Sequence, residues 1–274
     1  MDVITTLFSY EFITRAIVVG ILVSLCSSML GVSLVLKRYS MIGDGLSHVS
    51  FGALSIAAAL NLAPLYVSIP IVIISAFFLL RISERSSVGG DAAIAIFSSS
   101  ALALGIIITS MTTGINADIC NYMFGSILAM KESDVYISVI MSAVVLGMYV
   151  FSYNKIFAIT FDESFSRATG VKVNFYNVAI AVLTAITIVL GMRIMGALLI
   201  SSLIIFPALS AMRICRYFKR VIICSAIFSM LCFFTGIVLS YVLEVPVGAS
   251  VVMVNLLVFL LCILAEKIKS RFYC

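Results

Sequence analysis

The feature that most constrains this chain is a series of apolar runs, each close to 20 residues long, that recurs along the sequence. A helix needs about 20 mainly apolar residues to cross the hydrocarbon core of a bilayer. Because the backbone finds no water there, each run must satisfy its own hydrogen bonds, as an α-helix does. The runs lack the alternating segments of about 10 residues that are typical of an outer-membrane barrel. The sequence therefore predicts an all-α, polytopic membrane protein.

Composition supports the same prediction. Hydrophobic residues make up 63% of the 274 residues and charged residues 11%, whereas soluble domains average about 45–50% apolar and about 25% charged. The seven cysteines include no C-x-x-C pair, which argues against a disulfide framework or a cysteine zinc site. Residues 1–11 lack a positive n-region, and the first apolar run is too long for a signal peptide, so we expect that run to be retained.

Nine segments are candidate spans within a single transmembrane domain that covers residues 1–274. They run over 12–36, 41–61, 63–80, 92–112, 133–152, 173–192, 195–212, 221–242 and 246–265. The second is the weakest, because it is short and opens with Gly43, Asp44 and Gly45. We therefore expect a helix bundle of eight or nine spans. A further apolar piece, 120–130, is too short to cross and is predicted to be a re-entrant or surface helix.

Basic residues favour the cytoplasmic side of a membrane and so predict the orientation of the spans. With the C-terminus inside and the N-terminus outside, only Arg15, Lys131 and Arg193 of the 17 lysines and arginines lie at or near the outer side. The others then lie inside: Lys37, Arg38, Arg81, Arg85, Lys155, Arg167, Lys172, Arg213, Arg216, Lys219, Arg220, Lys267, Lys269 and Arg271. Because these residues are spread thinly over separate loops, they do not indicate nucleic-acid binding.

Small residues recur at helical spacing in the first span. They are Gly20, Ser24, Ser28 and Gly31. Such a face lets helix backbones approach closely in lipid, so we interpret it as a packing surface and not as the lining of a pore.

The second span holds the only histidine of the chain, His48, four residues after Asp44. On a helix these two side chains share a face. A carboxylate oxygen and an imidazole nitrogen both bind zinc and manganese, and ionisable groups inside a membrane usually face an interior path. We therefore predict that Asp44 and His48 contact a divalent metal cation. Asp44 falls in the inner half of the span, so the pair is expected below the middle of the membrane unless the helix begins in a recessed loop.

Two other interpretations of this segment stay open. In one, Asp44 caps the cytoplasmic end of the helix and a neighbour satisfies His48. In the other, Asp44, Ser47 and His48 form a hydrolytic triad, but adjacent residues on a helix point about 100° apart, which argues against it. The chain has no G-x-x-x-x-G-K-[ST] phosphate loop, so we expect no ATPase activity of its own and no other enzyme function.

The loop after the fifth span predicts a short cytoplasmic helix within residues 160–172. Thr160 and Glu163 have the spacing of a capping box, and Gly170 fits the position where a helix stops. An apolar stripe lies between them at positions i, i+4 and i+7, and it consists of Phe161, Phe165 and Ala168. We predict that this stripe docks a partner; the alternative is that it lies on the membrane or against the chain's own spans.

These segments resemble the ZnuB-type permeases, the membrane subunits of bacterial ABC importers for metal cations. Three motifs carry the resemblance, in the same order and over nearly the whole chain. They are the G-D-x-L-S-H stretch at 43–48 after Lys37-Arg38, the segment from Phe161-Asp162 to Ala168-Thr169-Gly170, and the stretch at 195–201 followed by Phe206-Pro207-Ala208. Gly45 takes the variable position of the first motif, where the family usually has alanine or another small residue.

The resemblance implies a permease of the bacterial cytoplasmic (inner) membrane whose fold is similar to that of the cobalamin-importer (type II) ABC permeases. It implies a homodimer, a separate cytoplasmic ABC ATPase, an extracytoplasmic metal-binding protein and no permanently bound cofactor. Asp44 and His48 would contact the metal in the translocation path. The ATPase would dock on the loop helix, at Phe161, Asp162, Glu163, Phe165, Ala168 and Gly170. The expected metal is zinc, with manganese or iron as alternatives.

Two alternatives of other classes remain. A secondary carrier would use an ion gradient and need no ATPase; carriers usually show an inverted repeat with broken helices at matching positions, and the sequence shows no convincing repeat. A membrane scaffold without transport activity fits the hydropathy but leaves the paired metal ligands unexplained.

Overall fold

The computed structural model describes residues 11–85, 90–112, 125 and 132–272, and these residues form helices with no strand among them. The helices are α1 (Glu11–Leu36), α2 (Ser40–Ala59), α3 (Pro64–Arg85), α4 (Gly90–Met111), α5 (Glu132–Phe151), α6 (Tyr153–Phe161), α7 (Glu163–Ala168), α8 (Val173–Ile214), α9 (Phe218–Leu243) and α10 (Val247–Phe272). The predicted all-α fold is thereby confirmed. Apart from Gly125, the apolar piece 120–130 lies outside the described residues.

The longest helix, α8, consists of two arms joined at Gly196. Gly196 has φ 80° and ψ 165°, a conformation that is essentially restricted to glycine. The side chain of Ile200 lies 2.4 Å from where a Cβ on Gly191 would stand. Two residues nine positions apart in a straight helix are separated by about 13.5 Å, so the chain must fold back between them. We call Val173–Met192 the first arm and Met195–Ile214 the second arm.

Among the described residues, eight segments are long and apolar enough to cross a membrane, namely α1, α3, α4, α5, both arms of α8, α9 and α10. The exception is α2, which is more polar although it has 20 residues. Thirteen of those residues are buried inside the bundle. A helix that is surrounded by protein does not need an apolar surface toward lipid, which explains its low hydropathy. The prediction of eight or nine spans is confirmed, and α2 is the segment on which the count depends.

Ion pairs sort the helix ends into two groups. Arg15 near the start of α1 pairs with Glu132 at the start of α5, at 2.6 Å. At the opposite end, Lys37 after α1 pairs with Glu163 of α7, and Arg213 of the second arm pairs with the last part of α10. We call the end that holds Lys37 the inner end, because the basic residues at this end favour the cytoplasmic side of a membrane.

The small-residue face of α1 packs against two neighbouring helices. The backbone oxygens of Ser24 and Ser28 accept hydrogen bonds from the hydroxyls of Ser229 and Ser225, at 2.9 and 3.3 Å. A Cβ on Gly31 would lie 2.0 Å from a backbone carbonyl oxygen of α8. These contacts need backbones closer than larger side chains allow, so the interpretation of this face as a packing surface is confirmed.

Candidate functional site

The turn between α1 and α2 fixes where α2 begins. Arg38 has φ 61°, and the amides of Arg38 and Tyr39 donate to the carbonyl oxygens of Val35 and Leu34, at 3.1 and 2.8 Å. This pair of bonds is a Schellman motif, in which a left-handed residue ends one helix sharply. The next helix starts at once, at Ser40.

The contacts of α2 with the second arm show that α2 begins in a recessed position. A Cβ on Gly43 would lie 3.2 Å from the side chain of Ile204, the tenth residue of the 20-residue arm. The hydroxyl of Ser201 donates to that of Ser47 at 3.3 Å, and Ser201 stands about 9 Å from the outer end of its arm at 1.5 Å per residue. Asp44 and His48, each one residue further along α2, therefore lie beside the middle of the second arm.

Asp44 and His48 lie on one face of α2, as their spacing predicts. The Oδ2 atom of Asp44 is 3.7 Å from the Nε2 atom of His48, and their side chains are 41% and 28% exposed in the single chain. Metal–oxygen and metal–nitrogen bonds of about 2.0–2.1 Å at a tetrahedral angle separate two ligand atoms by about 3.3 Å. One dication can therefore bind both atoms after a shift of a few tenths of an ångström.

The pair is an incomplete metal site within the described part of the chain. No group of three or more His, Cys, Asp or Glu residues that could hold a metal occurs there. The Nδ1 atom of His48 is buried and has no hydrogen-bond partner among these residues. Histidine ligands of tightly held metals almost always donate that second nitrogen to an acceptor, which orients the ring and strengthens the bond. The geometry therefore suits an ion that binds briefly and leaves.

Neither alternative interpretation of this segment agrees with the structure. The N-cap of α2 is Tyr39, so Asp44 does not cap the helix. The side chain of Ser47 is buried, and its hydroxyl donates to the carbonyl oxygen of Asp44 at 2.7 Å instead of to the imidazole. A hydrolytic triad is therefore not formed.

The cytoplasmic loop folds differently from its prediction at its start. Thr160 lies inside α6 and its hydroxyl donates to the carbonyl oxygen of Ile156 at 2.6 Å. The N-cap of α7 is Asp162, whose carboxylate accepts from the amide of Phe165 at 2.8 Å. The predicted capping box of Thr160 and Glu163 is therefore wrong, because the extended backbone at Asp162 breaks the helix two residues later.

The same break divides the predicted apolar stripe between two helices. Phe161 ends α6, where its ring packs 5.7 Å from Phe218, whereas Phe165 lies on α7. A continuous stripe on one helix is therefore not formed, although both rings are more than 60% exposed and Ala168 is exposed beside them. Gly170 ends α7 with φ 82° and a second Schellman motif, as predicted.

Glu163 points away from this exposed surface and toward Lys37. The Nζ atom of Lys37 donates to Glu163 Oε1 at 2.6 Å and to Asn177 Oδ1. Burial alone would raise the pKa of Glu163, but the hydrogen bonds from Lys37 and Asn177 and the charges of Lys37 and Arg167 outweigh it and lower that pKa. The carboxylate therefore stays ionised at neutral pH, and its contribution to stability is lost only as the pH falls through this lowered pKa.

Comparison with known proteins identifies the class to which this fold and site belong. The chain belongs to the ABC 3 transport family, whose pattern matches residues 9–266. It is 31% identical to the high-affinity zinc uptake system membrane protein ZnuB of Buchnera aphidicola subsp. Acyrthosiphon pisum, over 96% of this chain and 100% of that protein. It is 27% identical to the manganese import system permease protein ScaB of Streptococcus gordonii, over 94% of this chain and 93% of that protein.

A solved structure agrees with these relatives. PsaBC from Streptococcus pneumoniae in complex with Fab matches with a TM-score of 0.86 and 28% identity, over 95% of this chain and 94% of that chain. The predicted class is confirmed: the chain is a multi-pass membrane permease of the metal-cation ABC importers and a protein of the bacterial inner membrane.

Proposed function

We propose that this chain is the permease subunit of an ABC importer that moves zinc into the cytoplasm, and that ATP hydrolysis on a separate subunit drives the transport. The observation that carries the proposal is the position of Asp44 and His48, one helical turn apart near the middle of the bundle and both partly exposed. An incomplete pair of hard and borderline ligands at this depth is what a path for a divalent cation requires.

The exposure of this pair supports a homodimer. Met41, Asp44 and His48 share one face of α2, and Met41 is 40% exposed. On the adjacent second arm, Leu198 is 46% exposed. Because an ionisable pair at the middle of a bilayer does not face lipid, this face needs protein or water over it. A second copy of the chain, related by a twofold axis, would enclose a path between two such pairs and supply further ligands.

The exposed residues of α6 and α7 support docking of an ATPase subunit. Phe161, Asp162, Phe165, Ala168 and Gly170 are all exposed at the inner end. Aromatic side chains that stand free on a surface are typical anchors of protein interfaces. An extracytoplasmic protein that delivers the metal would bind at the opposite end of the bundle.

We propose zinc as the transported metal in preference to manganese and iron, although a carboxylate–imidazole pair binds all three. Reconstitution of the chain with its ATPase and binding protein in liposomes tests the choice. We expect ATP-dependent uptake of radioactive zinc that exceeds uptake of manganese or ferrous iron at equal concentrations. Greater uptake of manganese or iron would overturn the choice of zinc, and uptake by the lone chain along an ion gradient would favour a secondary carrier.

A further inference from the structure

We propose that Lys37 and Glu163 form the mechanical link through which the ATPase moves α2, so that Glu163 is a coupling residue and not an ATPase contact. This inference rests on the proposed function. The two residues join three elements at the inner end: the turn that begins α2, the helix α7, and the start of α8.

The link is short, and its lysine is shielded from solvent, whereas the side chain of Glu163 is 36% exposed. The side chain of Lys37 is 5% exposed, and its Nζ atom contacts Glu163 and Asn177 at the same time. Asn177, itself 3% exposed, donates from Nδ2 to the same carboxylate oxygen at 3.2 Å. Removing one partner from a buried, hydrogen-bonded charge is strongly unfavourable, so these groups move together more readily than they separate.

The link continues rigidly into the metal pair. Lys37 enters the Schellman turn directly, since its amide donates to Ser33 at 3.1 Å and the next two amides close the turn. The helix α2 follows at Ser40, and Asp44 is its fifth residue. A displacement of Lys37 therefore becomes a displacement of the whole of α2, because no flexible loop separates them.

The helix α7 has two faces suited to this role. Phe165 is 64% exposed on the solvent-facing side of α7, whereas Glu163 on the other side of this helix contacts Lys37. Within α7 itself, the buried hydroxyl of Ser166 donates to the carbonyl oxygen of Asp162 at 2.7 Å, which keeps the short helix a single body. A partner that pushes on Phe165 would thus move Glu163, and the ion pair would carry that movement to α2.

The test uses the complete importer, with this chain, its ATPase and its binding protein reconstituted in liposomes and radioactive zinc as the probe. The variant Glu163→Gln keeps the shape of the side chain and removes its charge. We expect zinc uptake to fall about tenfold or more, while ATP hydrolysis and co-purification of the ATPase stay at wild-type levels. The charge exchange Lys37→Glu with Glu163→Lys should restore much of the uptake that each single variant loses.

Several outcomes would overturn the inference. Wild-type uptake in Glu163→Gln would show that the link is not needed, and loss of the ATPase from the complex would make Glu163 a docking contact. If a single variant does not insert into the membrane, the charge exchange decides: restored uptake supports coupling, whereas restored insertion without uptake makes the pair purely structural.

The pair Arg213–Glu266 supplies a matched control. It is also an ion pair of the inner end, at 3.2 Å, but both side chains are more than 40% exposed, and the two residues lie on α8 and α10. Glu266→Gln should leave zinc uptake unchanged; an equal loss there would mean that the effect belongs to inner-end charge in general and would overturn the assignment. Failure of the wild-type importer to move any metal would be a separate result, against the proposed function itself.

Discussion

Two charged pairs in this molecule are constructed in opposite ways. Asp44 and His48 stand 3.7 Å apart near the middle of the bundle, and both side chains are partly exposed. Lys37 and Glu163 stand 2.6 Å apart at the inner end, where Lys37 is almost fully buried, Glu163 is 36% exposed, and Asn177 bonds to both. The first pair leaves bonding capacity open, since the buried His48 Nδ1 has no partner among the described residues, whereas in the second pair one carboxylate oxygen accepts from both Lys37 and Asn177.

The difference follows from what each pair would have to do. Ligands in a conduit must bind an ion and release it, so a complete coordination shell would trap the ion. A contact that holds two elements together must resist separation, and a buried ion pair does so only when its hydrogen bonds are complete. The same two types of interaction, ionic contact and hydrogen bond, thus give an open site in one region and a closed link in the other.

The largest expected effect tests the open pair. Asp44→Ala or His48→Ala should lower zinc uptake at least about a hundredfold, since even the loss of a residue behind a metal ligand costs about 10–100-fold in affinity. Insertion and thermal stability should change little, because within the described part of the chain neither side chain has a hydrogen bond or ion pair to another helix. Uptake assays and thermal unfolding in detergent measure the two properties. Ser55→Ala is the control on the same helix: its hydroxyl accepts from Thr109 at 3.0 Å, away from the path. Normal uptake in both site variants would remove the site assignment.

The next effect tests the closed link through stability. Lys37→Met should lower the free energy of unfolding by about 1–3 kcal/mol, because Glu163 and Asn177 lose a charged donor inside the protein. Arg213→Met removes a basic residue from an exposed pair and should cost about 0–1 kcal/mol. Thermal unfolding of the purified variants measures the difference. Equal losses in the two variants would contradict the contrast between a pair with a buried lysine and a pair with an exposed arginine.

A third prediction separates the two faces of α7. Phe165→Ala should weaken association with the ATPase about tenfold, since a central interface aromatic contributes more than about 1 kcal/mol. Phe175→Ala is matched to it, because both rings are 64% exposed and both lie at the inner end. Binding of the purified ATPase to each variant in detergent is the measurement. If the Phe175 variant loses as much affinity, α7 is not the specific docking surface.

The smallest effect concerns the packing of α2 beside the open pair. A Cβ on Gly45 would lie 2.8 Å from Ile94 Cγ2. Alanine at this position would therefore lose about 1–3 kcal/mol of stability through overpacking and gain about 1 kcal/mol through its higher helix propensity. Gly45→Ala should therefore be slightly less stable and still transport zinc, and Ile94→Leu, which lacks the Cγ2 methyl, should relieve the loss. A Cβ on Gly147 would meet no described atom within 4 Å beyond the adjacent backbone of its own helix, and alanine there should stabilise the protein. A complete loss of uptake in Gly45→Ala would show that the site depends on this spacing more closely than we infer.

The sequence predicted the class of fold well, because the signal for a membrane helix is local. Runs of about 20 apolar residues indicate helices whatever surrounds them, and eight of the nine predicted spans meet the criteria of length and hydropathy. The spacing of Asp44 and His48 also predicted their shared face, since helical geometry alone decides it. Gly170 was predicted correctly for the same reason, as its positive φ depends on its neighbours in the chain.

The predictions that failed depended on competition between neighbouring groups. Thr160 and Glu163 have the spacing of a capping box, yet Asp162 is the cap, and Glu163 bonds to Lys37, which is distant in sequence. The break at Asp162 then assigned Phe161 and Phe165 to different helices. No local sequence pattern indicates which of the two adjacent acidic residues, Asp162 or Glu163, will form an ion pair with a lysine 126 residues away.

The sequence by itself determined that the chain is a bundle of membrane helices, that it resembles a family of metal permeases, and that an acid and an imidazole share one helical face. Only the tertiary structure decided the depth of that face, because the recessed start of α2 follows from its packing against the second arm of α8. It also decided that Lys37 and Glu163 meet. The physical reason is that helical periodicity is a property of adjacent residues, whereas depth and ion pairing arise from contacts between segments that the chain brings together only when it folds.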